Sequence, residues 1–243
     1  MRFDLTVPLA RYVADHYNEL TFPFRRSHIA KVYRGERPQK GRYREFYQCD
    51  IDVIGEGELS VAYDAEIPRV IYSIFSQLDF GKFTIRVSNR KILSGLIEHL
   101  ELSSSSVEVM RVIDKVDKIS RTEFIAELKK LGMNTNQIDL LNQYIFAKGD
   151  SDSILTTLRA AKIDSLELQK GIEELESVVS LMRDMGIPDN YFRIDLTIAR
   201  GLDYYTGTIY ETTLDNYPRL GSVCSGGRYD DLASHYINKK LPG

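Results

Sequence analysis

The chain is predicted to adopt an α+β fold, an antiparallel or mixed sheet with flanking helices that is interrupted by an all-helical insertion. Three observations carry this expectation. Strand-like alternation appears near both ends of the sequence, helical spacing fills the middle, and short strands are joined by turns rather than by regular strand–helix–strand units. At 243 residues the chain exceeds the usual size of one domain. The expected boundaries are 1–88 and 191–243 for the two parts of the sheet domain, with 89–190 as the helical module.

The elements follow in order. Residues 31–52, KVYRGERPQKGRYREFYQCDID, hold two alternating stretches around a loop with two glycines, a proline and a dense basic set. On the second stretch Tyr47, Cys49, Ile51 and Val53 share one parity, and Arg44, Phe46, Gln48, Asp50 and Asp52 share the other. Successive strand side chains point to opposite faces, so the apolar face is expected to pack and the polar row to form the floor of a binding site. Ile67, Val70, Ile71, Ile74 and Phe75 have helical spacing within 65–78, and Lys82 to Val87 alternates as a strand.

From about Asn89 the texture becomes helical. Val109, Met110, Val112, Ile113, Val116 and Ile119 recur at helical intervals. Ser120 with Glu123 forms a capping-box pattern before Phe124, Ile125, Leu128 and Leu131, and Gly132 is a natural stop. Residues 138–147, 154–161 and 166–185 continue in the same way, the last ending at Gly186 and Pro188. Strand character returns at Tyr191, where Phe192, Ile194, Leu196 and Ile198 alternate with polar neighbours, and a further strand is expected over Thr208 to Leu214.

Composition excludes several classes. Hydrophobic content of 43% and charged content of 28% are ordinary for a globular protein. No apolar run approaches the roughly 20 residues needed to span a bilayer, and MRFDLTVPLA has no adequate signal-peptide core. Cys49 and Cys224 sit in no CxxC or His-adjacent cluster, which argues against structural zinc or a disulfide framework and makes a cytoplasmic location the simplest expectation. The net charge is −3, yet residues 25–45 carry eight Lys or Arg against Glu36 and Glu45, a local +6 that leaves −9 elsewhere. Positive charge gathered in one segment of an acidic protein suits a local phosphate contact or a solvated basic loop.

The candidate sites fall in three clusters. Gly35 to Arg42, GERPQKGR, lacks the P-loop order because Lys40 precedes Gly41, so a nucleotide would be held by side chains on a sheet. Arg34 could supply a guanidinium to phosphate and Phe46 a stacking surface, although Phe46 could equally be an exposed or subunit-facing ring. Residues 200–207, RGLDYYTG, place Tyr204 and Tyr205 between glycine-containing turns beside Arg200. Residues 221–232, GSVCSGGRYDDL, form a third glycine-rich turn where backbone can approach a ligand. His16, His28, His99 and His235 show no metal or triad spacing, and no metal site is predicted.

Together FDLTVPLARY at 3–12, YRGERPQKGRYREFYQCDIDVIG at 33–55, ARGLDYYTGTIYE at 199–211 and CSGGRYDDL at 224–232 closely resemble histidyl-tRNA synthetase, a class II aminoacyl-tRNA synthetase. The likeness is dense over the first 55 residues and from Arg193 onward, and thin in the helical middle. It implies a class II antiparallel-sheet catalytic domain whose helical insertion approaches the tRNA acceptor stem. It also implies ATP-dependent activation of L-histidine to histidyl-adenylate, followed by transfer to the 3′ end of histidine tRNA. By the resemblance, Asp4 and Thr6 would hold the substrate ammonium, and Arg34 and Arg200 would contact the α-phosphate from opposite sides. Glu36 would lie near the adenine with Phe46 stacked on it. Gln48 would bind the backbone groups of the amino acid, and Asp52, Tyr204 and Tyr205 would line the imidazole. Residues 35–42 would meet the tRNA 3′ end. Mg2+ is implied only through ATP.

The same resemblance implies that an upstream dimerisation element, a later glycine-rich strand–helix element with an ATP-binding arginine, and an anticodon-binding domain belong to a longer homodimeric parent. A fragment with little activity of its own is therefore expected. The nearest rival is a paralogue that does not charge tRNA, either the regulatory subunit of ATP phosphoribosyltransferase or a pseudo-synthetase binding module. Retention of Arg200 and of Leu202 to Tyr205 favours the ligase. A generic RNA-binding module would explain the basic loop but not the carboxylates and twin tyrosines.

Overall fold

The computed structural model of the chain describes residues 1–38, 41–199 and 204–243. The fold is α+β, and it divides into two compact units, one comprising 1–63 with 228–243 and the other 64–227.

In the first unit, helix α1 spans Thr6–Asp15 and buries Leu9, Ala10 and Val13 along one stripe. Asp4 Oδ1 accepts from the Val7 amide at 3.2 Å, satisfying one of the donors that a helix start leaves open. Strands β1 (Phe24–Tyr33) and β2 (Glu45–Ile54) pair antiparallel, with Arg26 opposite Asp52, His28 opposite Asp50, and Val32 opposite Phe46. The pairing continues past the strands, as the Arg34 amide donates to the Arg44 carbonyl at 2.9 Å. The N-terminal segment lies along β1, its Arg2 carbonyl accepting from the Tyr33 amide at 2.9 Å. Leu5, Ala30 and Val32 form a small core against which Phe46 packs.

One expectation is overturned here in part. The apolar parity of β2 packs only at its far end, where Val53 is buried and Ile51 half-buried: Tyr47 is 67% exposed, Cys49 is exposed, and Ile29, across the ribbon from Cys49, is 69% exposed. The opposite face turns inward because Ala30 and Val32 of β1 share it and bury against Leu5, carrying Phe46, Gln48, Asp50 and Asp52 with them. The polar row is thus the half-buried side of the ribbon. A strand's period assigns residues to two faces but does not say which face is buried.

In the second unit, helix α2 runs Ala62–Gln77, and β3 (Phe83–Asn89) lies inside the four-stranded sheet found among the described residues. Asn89 ends the strand and caps helix α3 (Arg90–His99), its side-chain oxygen accepting from the Lys91 amide at 3.0 Å. Helices α4 (Ser106–Ile113), α5 (Arg121–Lys130), α6 (Thr135–Ile145), α7 (Ser151–Arg159) and α8 (Leu166–Asp184) follow. The predicted capping box at Ser120 and Glu123 forms, and Asn134 with Gln137 forms a second. Strands β4 (Phe192–Ile194), β5 (Thr208–Leu214) and β6 (Ser222–Gly227) complete a sheet of order β4–β3–β5–β6, with β3 and β4 parallel and the other pairs antiparallel.

The strand expected from Tyr191 to Ile198 stops at Ile194. Asp195 turns the chain, its Oδ1 accepting from the Thr197 amide at 3.1 Å and the Thr197 hydroxyl at 2.6 Å, a local bond that competes with the ladder. Arg86 on β3 fastens this turn, donating to Asp195 at 2.8 Å and Asp117 at 3.2 Å with Glu211 at 3.6 Å.

Candidate active site

The inward face of the β1–β2 ribbon gathers most of the residues singled out in the first part of the sequence. Arg34, just past the end of β1, lies between two rings, its guanidinium carbon 4.8 Å from the Phe3 centroid and 5.0 Å from the Phe46 centroid. A cation over two aromatic faces is held electrostatically and sterically, which keeps the planar fork aimed in one direction. Its Nε donates to the Phe3 carbonyl at 3.4 Å, and its Nη2 donates to Gln48 Oε1 at 3.1 Å.

Further along β2, Gln48 Nε2 donates to Asp50 at 2.8 and 2.9 Å. Asp52 Oδ2 accepts from Arg26 Nη2 at 2.7 Å, with the two side chains only 9% and 15% exposed, and Asp52 Oδ1 accepts from the Tyr229 hydroxyl at 3.3 Å. Arg26 also reaches the Leu5 carbonyl at 3.3 Å and His28 Nδ1 at 2.6 Å. Since a guanidinium only donates, that His28 nitrogen is the acceptor and the ring's proton is on Nε2. Burial is the main reason the Asp50 carboxyl titrates above the usual aspartate range; Asp52 and Asp4 push the same way, while Gln48 and Arg26 pull against them. Asp4 is buried at the start of α1, and Thr6 is the first residue of that helix.

The remaining expected residues fall on the loop between the strands, in the second unit, or outside the described residues. Glu36 sits on the loop, 3.6 Å from Arg42, and its carbonyl accepts from Arg44 Nε at 3.2 Å. Tyr204 and Tyr205 belong to the second unit, with ring centroids 4.7 Å apart at 63°. Gly227 on β6 leaves room for them, since a side chain there would stand 3.0 Å from the Tyr205 ring and 2.7 Å from the Thr208 carbonyl. Arg200, with Gly201 to Asp203, and Lys40 lie outside the described residues. No helix among the described residues is long and apolar enough to cross a membrane, and no group of three or more His, Cys, Asp or Glu there is arranged to hold a metal ion.

Arg26 and Tyr229 are the site partners that sequence reasoning missed. Both act on Asp52, one across the ribbon and one from the C-terminal segment. In the sequence Arg26 is only one of the basic residues of 25–45, and it is the hairpin register that sets it opposite Asp52.

The whole of residues 1–243 matches the family model for histidyl-tRNA synthetase. This chain belongs to the histidyl-tRNA synthetase family. It is 54% identical over its full length to a histidine–tRNA ligase of Clostridium tetani, covering 55% of that protein. It is 48% identical to one of Xanthomonas campestris, covering 53% of it. Among solved structures, histidyl-tRNA synthetase from a Nostoc species superposes with a TM-score of 0.94 at 43% identity, over 100% of this chain and 56% of that one. A Bacillus halodurans protein described as an ATP phosphoribosyltransferase regulatory subunit/histidyl-tRNA synthetase shares the fold, with a TM-score of 0.81 at 22% identity. The chain therefore spans about half the length of the curated relatives it matches.

Proposed function

We propose that this chain is the catalytic part of a histidine–tRNA ligase, which activates L-histidine with ATP and transfers it to the 3′ end of histidine tRNA. The observation that carries the reading is the Arg34 clamp. A guanidinium fixed between Phe3 and Phe46, with Gln48, Asp50 and Asp52 ranked beside it, suits a ligand with a phosphate at one end and a cationic, hydrogen-bonding group at the other.

In the proposed first step the histidine carboxylate attacks the ATP α-phosphorus, the bond to the β-phosphate oxygen breaks, and pyrophosphate leaves. Arg34 and Arg200 would meet the charge on the α-phosphate; fixed donors do this without reorganising during the reaction. Phe46 would stack on the adenine, with Glu36 near it. Asp4, Thr6 and Gln48 would hold the ammonium and backbone groups, and Asp52, Tyr204 and Tyr205 the imidazole. A site built from a carboxylate and phenols rejects substrates that cannot pair with them. In the second step a terminal ribose hydroxyl of the tRNA takes the histidyl group and AMP leaves. Mg2+ would enter on the ATP phosphates, where it neutralises charge on pyrophosphate. Residues 35–42 would meet the tRNA end, and 89–190 would act as a helical insertion against the acceptor stem. The parent is proposed to be a longer, cytoplasmic homodimer in which this segment alone has little activity.

The test is ATP–pyrophosphate exchange in a full-length protein carrying these residues, with each amino acid supplied singly. Exchange is expected with histidine alone, and Arg34→Ala is expected to lower it ~100-fold or more. Phe46→Ala is expected to raise the KM for ATP about tenfold through lost stacking. Exchange with a different amino acid would overturn the substrate. Histidine binding with no exchange would point to the regulatory paralogue.

A further inference from the structure

We propose that Asp50 is a positioning residue that fixes the side-chain amide of Gln48, so that Gln48 shows an acceptor, and not a donor, to the bound amino acid. The geometry is a relay along one face of β2: Arg34 Nη2 donates to Gln48 Oε1 at 3.1 Å, and Gln48 Nε2 donates to both Asp50 oxygens at 2.8 and 2.9 Å. The two ends of the amide are chemically sorted. A guanidinium offers only donors, and an ionised carboxylate only acceptors. Turning the amide over would set its NH2 against Arg34 and its oxygen against Asp50, exchanging attraction for repulsion at both ends. Its orientation is therefore dictated by its neighbours.

With Nε2 committed to Asp50, Oε1 keeps a lone pair beyond the one Arg34 uses. That oxygen suits an ammonium and disfavours a carboxylate. Asp50 itself touches no ligand in this scheme; it acts through Gln48. The groups that face Asp50 are Asp52 and Arg26, whose charges reach it, Asp4 from the start of α1, and His28, its partner in the ribbon register. Arg26 is engaged with Asp52 at 2.7 Å and His28 at 2.6 Å, which leaves the Gln48 amide as the close hydrogen-bond donor to Asp50.

The kinetic expectation rests on the proposed reading that histidine binds over this row; the hydrogen-bond relay does not. In histidine-dependent pyrophosphate exchange by the full-length protein, Asp50→Ala is expected to raise the KM for histidine about tenfold, the usual worth of a charged hydrogen bond. The kcat should change less than about threefold, and the KM for ATP should hold. Asp50→Asn keeps one acceptor for the amide and is expected to fall between wild type and Asp50→Ala. The second measurement needs no histidine: the Gln48 side-chain amide signals, followed by 1H–15N NMR and assigned by their loss in Gln48→Met. They are expected to shift as acid titrates Asp50, a component absent in Asp50→Asn. If those signals ignore both pH and Asp50→Ala, or if Asp50→Ala leaves the histidine KM unchanged in an enzyme that does use histidine, the positioning role is overturned. Signals that respond in a protein that exchanges no pyrophosphate with histidine would uphold the relay and overturn the functional reading instead.

Discussion

Replacing Arg26 by Met should expose how the inward face of the ribbon tolerates its carboxylates. In the native chain Arg26 and Asp52 pair at 2.7 Å with both side chains mostly buried. Removing one member of such a pair leaves an uncompensated charge and typically costs about 3–5 kcal/mol. A ceiling applies, because Asp52 can instead take up a proton. Holding an ordinary aspartic acid (pKa about 3.9) protonated at pH 7 costs about 4 kcal/mol, at 1.36 kcal/mol per pH unit. The expected loss at pH 7 is thus about 3–4 kcal/mol. At pH 5 the same ceiling falls to about 1.5 kcal/mol, so the penalty should shrink as the solution acidifies. The lost contacts to the Leu5 carbonyl and His28 add to the penalty at both pH values. Urea unfolding of wild type and Arg26→Met at the two pH values reads this out, and the double variant Arg26→Met with Asp52→Asn serves as control. Its stability should show no such pH-dependent component. A loss under about 1 kcal/mol at pH 7, or a loss equal at both pH values, would refute the claim that Arg26 neutralises a buried Asp52.

Gly171→Ala should destabilise the second unit, although alanine favours a helix by about 1 kcal/mol. The added Cβ would stand 2.7 Å from the Ile92 amide nitrogen and 2.9 Å from the Lys91 Cβ on α3, where backbone cannot yield without parting the helices. Overpacking costs ~1–3 kcal/mol, so a net loss of about 1–2 kcal/mol is expected in urea unfolding, and a neutral or stabilising result would contradict the close approach. Asp195→Asn should flatten the acid end of the stability curve. Burial raises the Asp195 carboxyl, but the hydrogen bond and charge of Arg86, with Thr197, outweigh it and hold the carboxyl below its ordinary value. A depressed acid contributes stability that is complete above about pH 4 and lost as pH falls through the folded value. The variant should be less stable at neutral pH and should lose less on acidification; parallel curves in acid would count against the pairing. Binding of histidine to wild type, near the raised value of Asp50, should release protons, because an added cation favours the ionised carboxylate. Calorimetry in two buffers of different ionisation enthalpy measures that release, and proton uptake would oppose the placement of an ammonium over this row.

Much of the fold was legible because periodicity and capping are local. The Ser120–Glu123 box, the strand over Thr208–Leu214 and the helix from Leu166 were readable from residues a few positions apart. The strand after Tyr191 was overextended because Leu196 and Ile198 keep the alternation, and both are buried, although Asp195 has already turned the chain. Alternation records which side chains are buried, and a turn can bury them as well as a strand. The candidate site was legible as a row on β2, and its polarity was not. Which face packs was decided by Ala30 and Val32 on β1 together with Leu5, and the pairing of Arg26 with Asp52 by a register set across an irregular loop. Neither is a property of β2 alone.

The inward turn of a polar face follows a rule that the β1–β2 ribbon makes explicit. Ala30, Val32 and Phe46 supply the apolar contact at one end, and the polar side chains further along are paired, Arg26 with Asp52, Arg34 with Gln48, and Gln48 with Asp50, although the buried Arg26 Nε has no partner of its own. Half-burial is tolerable because buried polar groups are costly only when left unpaired. The matching is incomplete in charge, however. Burial is the larger cause of the raised titration of Asp50, and the like charges of Asp52 and Asp4 add to it against the pull of Gln48 and Arg26. A ligand that brings a cationic group to this row relieves that repulsion, whereas one that brings a second carboxylate deepens it. On the proposed function, the same row would therefore favour, by charge, an amino acid lying with its ammonium over β2 and its carboxylate turned toward Arg34.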